Sequence, residues 1–236
     1  MNMEKIISRV ELSKEKKDSI YKEYFKNVER LANDYKRRLT NSKEEIISVI
    51  EQKRNHKSSS FESVESTEME AMRDMLALQD VNDFYDILAE YRAAAELAGI
   101  EPYDFEYDEE EFDELLYDIS DTTGIINERN LKTCYSAIIN EALEAVMKGL
   151  GYTLIKKEKT GKRNDIVTYT YAFEENVNLV VMEASGKLTL EPVAKAAVSG
   201  GIGVTDSISE KCKEHFAKLY DTLKDRLREC GVDTTP

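Results

Sequence analysis

Apolar positions recur at three- and four-residue steps in several long stretches of the chain, a pattern that predicts amphipathic helices. The first predicted helix covers residues 15–55 and the second 67–98, with a polar segment at Lys57–Ser63 between them. Two long helices joined by a polar loop predict an antiparallel hairpin. The first stripe is narrow and includes Tyr24 and Tyr35, which is typical of a coiled coil or a bundle seam.

The second half of the chain changes to period two. Four short runs of alternating character between residues 152 and 193 are separated by turn signals, which predicts an antiparallel meander of four strands. Helices predicted at about 127–149 and 206–230 flank this sheet, and we expect both to pack on one face. The last helix has a regular heptad. Its members are Ile208, Cys212, Phe216, Leu219, Leu223, Leu227 and Cys230.

The predicted fold class is therefore α+β, with an N-terminal long-helix hairpin or coiled coil followed by a small antiparallel four-stranded sheet flanked by two helices. The predicted domains are a helical hairpin over 1–100, an acidic-aromatic linker or short helix over 101–126, and an α-ββββ-α domain over 127–236. The first and last helices offer more apolar edge than so small a sheet can cover. We therefore expect a homo-oligomer or a hetero-complex.

Charge is distributed unevenly along the chain, whose net charge is −14. Residues 1–57 carry 15 Lys or Arg against 10 Asp or Glu, residues 58–150 carry 5 against 24, and residues 151–236 carry 13 of each. An asymmetry of this kind suggests a charged partner. The alternative is that the basic first helix lies beside the acidic second helix, so that the charges meet within one fold.

Residues 101–121 combine acidic and aromatic side chains. Eleven of the 21 are acidic, none is basic and five are aromatic. Carboxylates can pair with Lys or Arg while aromatics supply anchors, so the segment is predicted to bind a protein partner with a basic surface. Alternatively, the aromatics only fasten the segment to the hairpin. The predicted partner-binding residues are Tyr103, Asp104, Phe105, Glu106, Tyr107, Asp108, Glu109, Glu110, Glu111 and Phe112.

Asp108 is further expected to cap a short helix that runs through about Ser120.

The three cysteines are few, odd in number and far apart, so a disulfide framework is not predicted and a reducing cytoplasm is the expected location. Cys212 and Cys230 are 18 residues apart, which is five helical turns, and we expect both to be buried on one apolar face. No apolar run approaches the ~18 residues of a membrane span, so no membrane contact is expected.

Motifs for chemistry are incomplete. The loop Gly200–Gly203 is glycine-rich like a phosphate cradle, but Val204 stands where a Walker motif has Lys. Cys212 and His215 have the spacing of zinc ligands, although zinc needs at least three from the protein. The nearest approximation to the motif of a metal-dependent nuclease is Asp165, Glu183 and Lys187. Ser185 stands where that motif has its Lys. No catalytic residue, metal or cofactor is predicted.

These observations favour a non-enzymatic interaction or assembly subunit of a cytoplasmic, bacterial complex, which recognises a basic protein partner through its acidic-aromatic segment. A first alternative is an acidic nucleic-acid mimic that inhibits a DNA- or RNA-binding protein. A second is an enzyme acting on nucleotides or nucleic acid, with Glu183 or the glycine loop in its site. Direct binding of nucleic acid by so acidic a chain is not expected.

Overall fold

A computed structural model of the chain describes residues 5–57, 64–161, 166–195 and 210–236; for residues 53–57, 64–68, 70, 71 and 74 it describes the backbone alone. Within these ranges the elements are, in chain order, β1 (Ile6–Leu12), α1 (Lys14–Lys57), α2 (Val64–Ala98), α3 (Phe112–Gly149), β2 (Leu154–Thr160), β3 (Ile166–Glu174), β4 (Val177–Ala184), β5 (Lys187–Ala194), α4 (Glu210–Glu229) and β6 (Val232–Thr235). The mixed α+β class is confirmed.

Packing divides the chain into two units. The sheet unit comprises Met1–Ile20 and Thr133–Pro236, and the helical unit comprises Tyr21–Lys132. Helices α1 and α3 each contribute residues to both units. The domain boundaries at residues 100 and 126 that the sequence suggests remain a prediction.

Six antiparallel strands form the sheet, in the order β2-β3-β4-β5-β1-β6. The meander β2–β5 follows the predicted order, but the predicted number of four strands is wrong because β1 and β6 extend the sheet beyond β5. Strand β1 pairs with β5, where Ile6 lies opposite Leu190, and with β6, where Leu12 lies opposite Val232. Both partners of β1 therefore come from the other end of the chain.

The two extra strands have distant partners, and β6 is only four residues long, which is why periodicity alone misses them. In β1 the side chains of Ser8, Val10 and Leu12 are buried while Ile7 is exposed, so period two extends over only seven residues. Strand β6 follows Gly231, whose φ of +75° turns the chain after α4. A polar serine at a buried position hides the alternation of β1 from a reading of hydropathy.

The core of the sheet unit lies on one face of the sheet. Inward residues of β3, such as Tyr169 and Tyr171, meet apolar side chains of both α3 and α4, which confirms that the two helices pack on the same face. The buried heptad members of α4 are Cys212, Phe216, Leu219, Leu223 and Leu227. Because this stripe covers the sheet of its own chain, it does not supply the free apolar edge from which oligomerisation was predicted.

The two cysteines of the last helix differ in burial. Cys212 is buried, as predicted, but Cys230 is exposed, so that prediction is wrong for Cys230. Helix α4 ends at Glu229, one residue before Cys230, and Gly231 then turns the chain into β6. Because the helix has ended, Cys230 does not lie on the apolar face of α4 that buries Cys212.

Ile208 lies outside the described residues, as do Asp165 and the loop Gly200–Gly203.

In the helical unit α1 and α2 run antiparallel, because Tyr24 shares a buried cluster with Ala93 whereas Lys36, later in α1, pairs with Asp86, earlier in α2. The Tyr35 hydroxyl donates a hydrogen bond to Glu96 at 2.7 Å, and Lys36 pairs with Asp86 at 3.1 Å. The first part of α3 adds a third helix to this hairpin, since the Tyr24 hydroxyl donates to Asn127 at 2.7 Å. The unit is thus a three-helix arrangement rather than a hairpin alone.

Helix α3 is continuous from Phe112 to Gly149, whereas the sequence suggested a short helix through Ser120 and a separate one from residue 127. Ile119 and Ile126, two turns apart, are both buried. Their packing outweighs the roughly 1 kcal/mol by which Gly124 disfavours a helix interior.

The predicted cap is also wrong. The Glu111 carbonyl accepts the first helical bond, from the Leu115 amide at 2.9 Å, which makes Glu111 the N-cap. Asp108 instead accepts a bond from the Glu110 amide at 2.8 Å, a local turn before the helix. None of the helices in the described ranges is both long and apolar enough to span a membrane.

Candidate functional site: an acidic strap on the helical unit

Residues 101–111 join α2 to α3 without regular secondary structure, and we call them the strap. Its side chains alternate in burial. Phe105 and Tyr107 are half-buried and pack against the apolar core of the helical unit, whereas Asp104, Glu106 and Asp108 are exposed. The alternation arises because successive side chains of an extended segment point to opposite sides. The strap therefore presents carboxylates outward and keeps two aromatic rings inward.

Helix α2 holds the start of the strap through polar contacts. The Tyr103 amide donates a hydrogen bond to the Tyr91 hydroxyl at 2.7 Å. The Arg92 guanidinium donates to Asp104 at 2.6 Å, which is an ion pair on the surface. Tyr91 is itself buried, so the hydroxyl that accepts this hydrogen bond belongs to a side chain of the core.

Aromatic contacts continue the attachment. The ring of Phe105 lies edge-on to Tyr91 at 5.2 Å, and the ring of Tyr107 lies edge-on to Phe84 at 5.7 Å. Phe112, at the start of α3, approaches Tyr107 at 6.1 Å. Rings in such pairs stabilise packing beyond the area they bury. These contacts attach the strap to α2 and to the start of α3.

The ten predicted partner-binding residues thus fall into two groups. Phe105, Tyr107 and Phe112 are used for packing within the unit, which is the fastening that the alternative interpretation expected. Of the aromatics in 101–121, Tyr103 and Tyr117 remain 69% exposed. The outward group consists of Tyr103, Asp104, Glu106, Asp108, Glu109, Glu110 and Glu111.

A groove of about 430 Å³ lies beside the strap in the helical unit. Ile46, Val49 and Ile50 of α1 supply its apolar wall, and Tyr107 lies on the strap side. Among the side chains that the structure describes, no Lys or Arg borders the groove and three carboxylates do: Glu45, Asp108 and Glu109. The geometry suits a ligand that has both positive charge and apolar surface.

Electrostatics at this end of the strap are negative. The Tyr107 hydroxyl is buried and has no hydrogen-bond partner among the described residues. Burial raises its pKa, and the charges of Asp80, Glu109 and Asp108 raise it further. The pKa of Asp80 on α2 is raised as well, first by burial and then by neighbouring carboxylates that include Asp83 and Asp113. In both groups burial is the larger cause of the raised pKa, and the neighbouring carboxylates add to it.

Glu183, named in the enzymatic alternative, lies in the sheet unit and is fully buried on β4. Its carboxylate accepts hydrogen bonds from the Ser136 hydroxyl and the Asn140 amide of α3, both at 2.8 Å, and from the Gly186 amide at 2.9 Å. Asn140 in turn accepts a bond from the Tyr169 hydroxyl at 3.1 Å. A carboxylate with these partners and no exposure is suited to joining α3 to the β4–β5 turn.

A second polar group in the sheet unit links Tyr152, His215 and Glu174. The Tyr152 hydroxyl lies 3.0 Å from His215 Nε2, and His215 Nδ1 lies 2.6 Å from a Glu174 oxygen. Phe173 stacks on the imidazole at 4.6 Å. Burial, and secondarily the Glu174 charge, raises the pKa of Tyr152, whereas an activated nucleophile needs a lowered pKa. The arrangement favours a clamp between β3 and α4.

Neither group provides a metal centre. No cluster of three or more His, Cys, Asp or Glu side chains in the described ranges has an arrangement that could hold a metal ion. This includes the Cys212–His215 pair, whose spacing resembles that of zinc ligands.

Sequence reasoning did not find the α1 wall of the groove. In the sequence, the four residues of this wall occupy ordinary positions of a long amphipathic helix. Only the tertiary packing brings them beside Tyr107; they are Glu45, Ile46, Val49 and Ile50. The available signal was the three- and four-residue spacing of the two isoleucines and the valine, which indicates one helix face but not what covers it.

No protein-family model matches the chain, and no curated protein matches it either.

Proposed function

We propose that this chain is a non-enzymatic interaction or assembly subunit that recognises a basic protein partner through the acidic-aromatic segment 101–121. The observation that carries the proposal is that the side chains of the strap fall into an inward aromatic group and an outward acidic group. Its inward rings fix the backbone on α2, and its outward carboxylates stand in solvent. A fixed set of charges loses little conformational entropy when a partner binds, which favours affinity.

The charges themselves suit a basic partner. Glu106, Asp108 and Glu109 have no ion pair with any residue that the structure describes, so a partner's Lys or Arg would not compete with an internal cation. The groove beside them adds apolar surface from Ile46 and Val49. Charge steers the encounter, and the apolar contact adds affinity that does not depend on salt.

The test is a charge-neutral variant of the strap: D108N/E109Q/E110Q/E111Q. Its matched control is E23Q/E29Q/E175Q/D221N, which removes four exposed carboxylates elsewhere and gives the same net charge. Partners are captured from a lysate of the native host with wild-type chain, identified by mass spectrometry, and purified for titration.

The strap variant should lower the association rate at 50 mM salt by about tenfold and flatten its dependence on salt, because electrostatic steering contributes factors of about 10–10³. The control variant should retain most of the wild-type rate. Equal effects of the two variants would mean that net charge alone drives capture and would refute the strap as the recognition element.

The nucleic-acid mimic makes a different prediction in the same titration. A mimic would occupy the DNA- or RNA-binding groove of its partner, so a short duplex should displace the chain in competition. Failure of the duplex to compete assigns the contact to another basic surface.

Oligomeric state also stays a prediction, to be checked by sedimentation equilibrium of the 27.0 kDa chain at micromolar concentration.

A further inference from the structure

Four large apolar side chains stand in solvent on the N-terminal half of α2. Met69, Met72, Met75 and Leu76 are 63%, 61%, 64% and 52% exposed. Single exposed apolar residues are common on protein surfaces, but four within eight residues of one helix are a continuous patch. We call these four residues the methionine face.

The methionine face is separate from the side of α2 that packs in the core. At 100° per residue its members span about 120° of the helix circumference. The core-facing residues Val81, Phe84 and Leu88 point about 140° away from its centre. The exposed face is therefore not the unfinished end of the buried stripe.

Carboxylates take over the same face towards the C-terminal end of α2. Asp83, Asp86 and Glu90 lie within about 40° of the line through Met72, and all three are exposed. Asp86 pairs with Lys36, whereas neither Asp83 nor Glu90 forms an ion pair with another described residue. One side of the helix is thus apolar for two turns and acidic for the next turns.

We propose that this side of α2 binds a basic amphipathic helix of a partner protein. Methionine side chains are flexible and polarizable and adapt to apolar surfaces of different shape, as in helix-in-groove recognition. The acidic continuation selects a helix that carries Lys or Arg next to its apolar positions. This inference rests on the proposed function, because it gives the structural form of the same basic partner.

Charge argues against a second copy of the chain as the occupant. Helix α2 contains nine Asp or Glu and two Lys or Arg, so its net charge is −7. Two such faces in contact would place like charges together, which costs free energy at an interface. From Met69 to Glu90 the face is about 32 Å long, which a helix of about 21 residues matches.

The probe is a designed 21-residue peptide with Leu on one helical face for two turns, Lys on the same face for the next three, and one Trp. Its comparison peptide has the same composition in scrambled order. Because the chain contains no Trp, Trp emission reports on the peptide alone. The test variant is M72S/M75S, and the control is L97S/I125S, two exposed apolar residues elsewhere in the helical unit.

The first peptide should bind with a shift of Trp emission to shorter wavelength, and the scrambled peptide should bind at least about tenfold more weakly, a difference of about 1.4 kcal/mol. M72S/M75S should weaken binding of the first peptide by about tenfold, and L97S/I125S should leave it unchanged. Circular dichroism of each variant establishes that the fold is retained.

Three results would overturn the inference: absence of binding, equal affinity for the two peptides, or equal affinity of wild type and M72S/M75S. A wild-type dimer that M72S/M75S dissociates would also overturn it, since the occupant would be a second copy. None of these results bears on capture of a partner by the strap, which D108N/E109Q/E110Q/E111Q tests. Failure of the two proposals is therefore distinguishable.

Discussion

The buried carboxylate of Glu183 accepts a hydrogen bond from the Gly186 amide at 2.9 Å, and the Gly186 carbonyl accepts one from the Val10 amide at 2.8 Å. Gly186 has a φ of +79°, in the left-handed region where a side chain is strained. The pair thus connects a charge in the core to the turn against which β1 is placed.

The first prediction concerns this turn. Gly186→Ala should destabilise the chain by roughly 1–2 kcal/mol, because the residue is left-handed and the new Cβ would lie 3.2 Å from the Val10 carbonyl oxygen. Urea unfolding followed by circular dichroism measures the change. As a control, Gly124→Ala in α3 meets no atom within 4 Å and should stabilise by roughly 0.5–1 kcal/mol. A neutral Gly186→Ala would refute the strain.

The second prediction concerns the carboxylate itself. Glu183→Gln should destabilise by roughly 1–3 kcal/mol, since one oxygen that accepts bonds becomes an NH₂ group facing a buried donor. Glu175→Gln, at an exposed position, should change the free energy of unfolding by less than about 0.5 kcal/mol. Similar values for the two variants would contradict a joining role for Glu183.

Attachment of the strap gives the third prediction. Tyr91→Phe removes the hydroxyl that accepts the Tyr103 amide but keeps the ring against Phe105. We expect a loss of roughly 1 kcal/mol and faster hydrogen exchange of the Tyr103 amide, measured by NMR. Tyr117→Phe, at an exposed position on α3, should leave that exchange unchanged. An unaltered Tyr103 amide in Tyr91→Phe would indicate that the rings alone hold the strap.

Thiol reactivity is the basis of the fourth prediction. Burial raises the pKa of Cys212, and the Glu174 charge raises it further. A reagent therefore reaches the Cys212 thiol poorly, and little of that thiol is ionised to the reactive thiolate. Cys230 is exposed and should react first with a thiol reagent in the native state. Cys230→Ser should remove the fast phase, and Cys212→Ser should leave it in place. Fast labelling that survives Cys230→Ser would refute the assignment.

The fifth prediction follows from two buried phenols. Burial raises the pKa of Tyr169 and of Tyr171 well above the ordinary tyrosine value, so their folded forms hold the proton more tightly than the unfolded chain does. Their contribution to stability is present below about pH 10 and is lost as pH rises above it. Unfolding monitored at several alkaline pH values should show this decline. It should be shallower in Tyr169→Phe/Tyr171→Phe.

Elements with local signals could be predicted from the sequence. In the meander β2–β5 the strands β3 and β4 alternate in burial with period two, and α4 shows its buried heptad from Cys212 to Leu227. Strands β1 and β6 could not be found in this way, because their pairing joins residues more than 170 positions apart, as between Arg9 and Lys187. Periodicity carries no information about such partners.

The candidate site shows the same limit. Composition alone indicated that 101–121 mixes carboxylates with aromatics, but which group faces outward depends on Tyr91 and Phe84 of α2. The continuity of α3 through Gly124 likewise depends on the burial of Ile119 and Ile126. Tertiary packing overrode the local helix-breaking tendency in that case.

The position of β1 between β5 and β6 has a consequence for biosynthesis. A ribosome that adds about 5–20 residues per second needs roughly 10–45 s to proceed from Leu12 to Val232, which lie opposite each other in the sheet. Until β5 has been made, both edges of the first strand lack their native partners, and the edge that pairs with β6 lacks its partner for the whole interval. Unpaired edges are the parts of a nascent chain that aggregate or recruit chaperones. We therefore expect the sheet to close only after synthesis has passed β6.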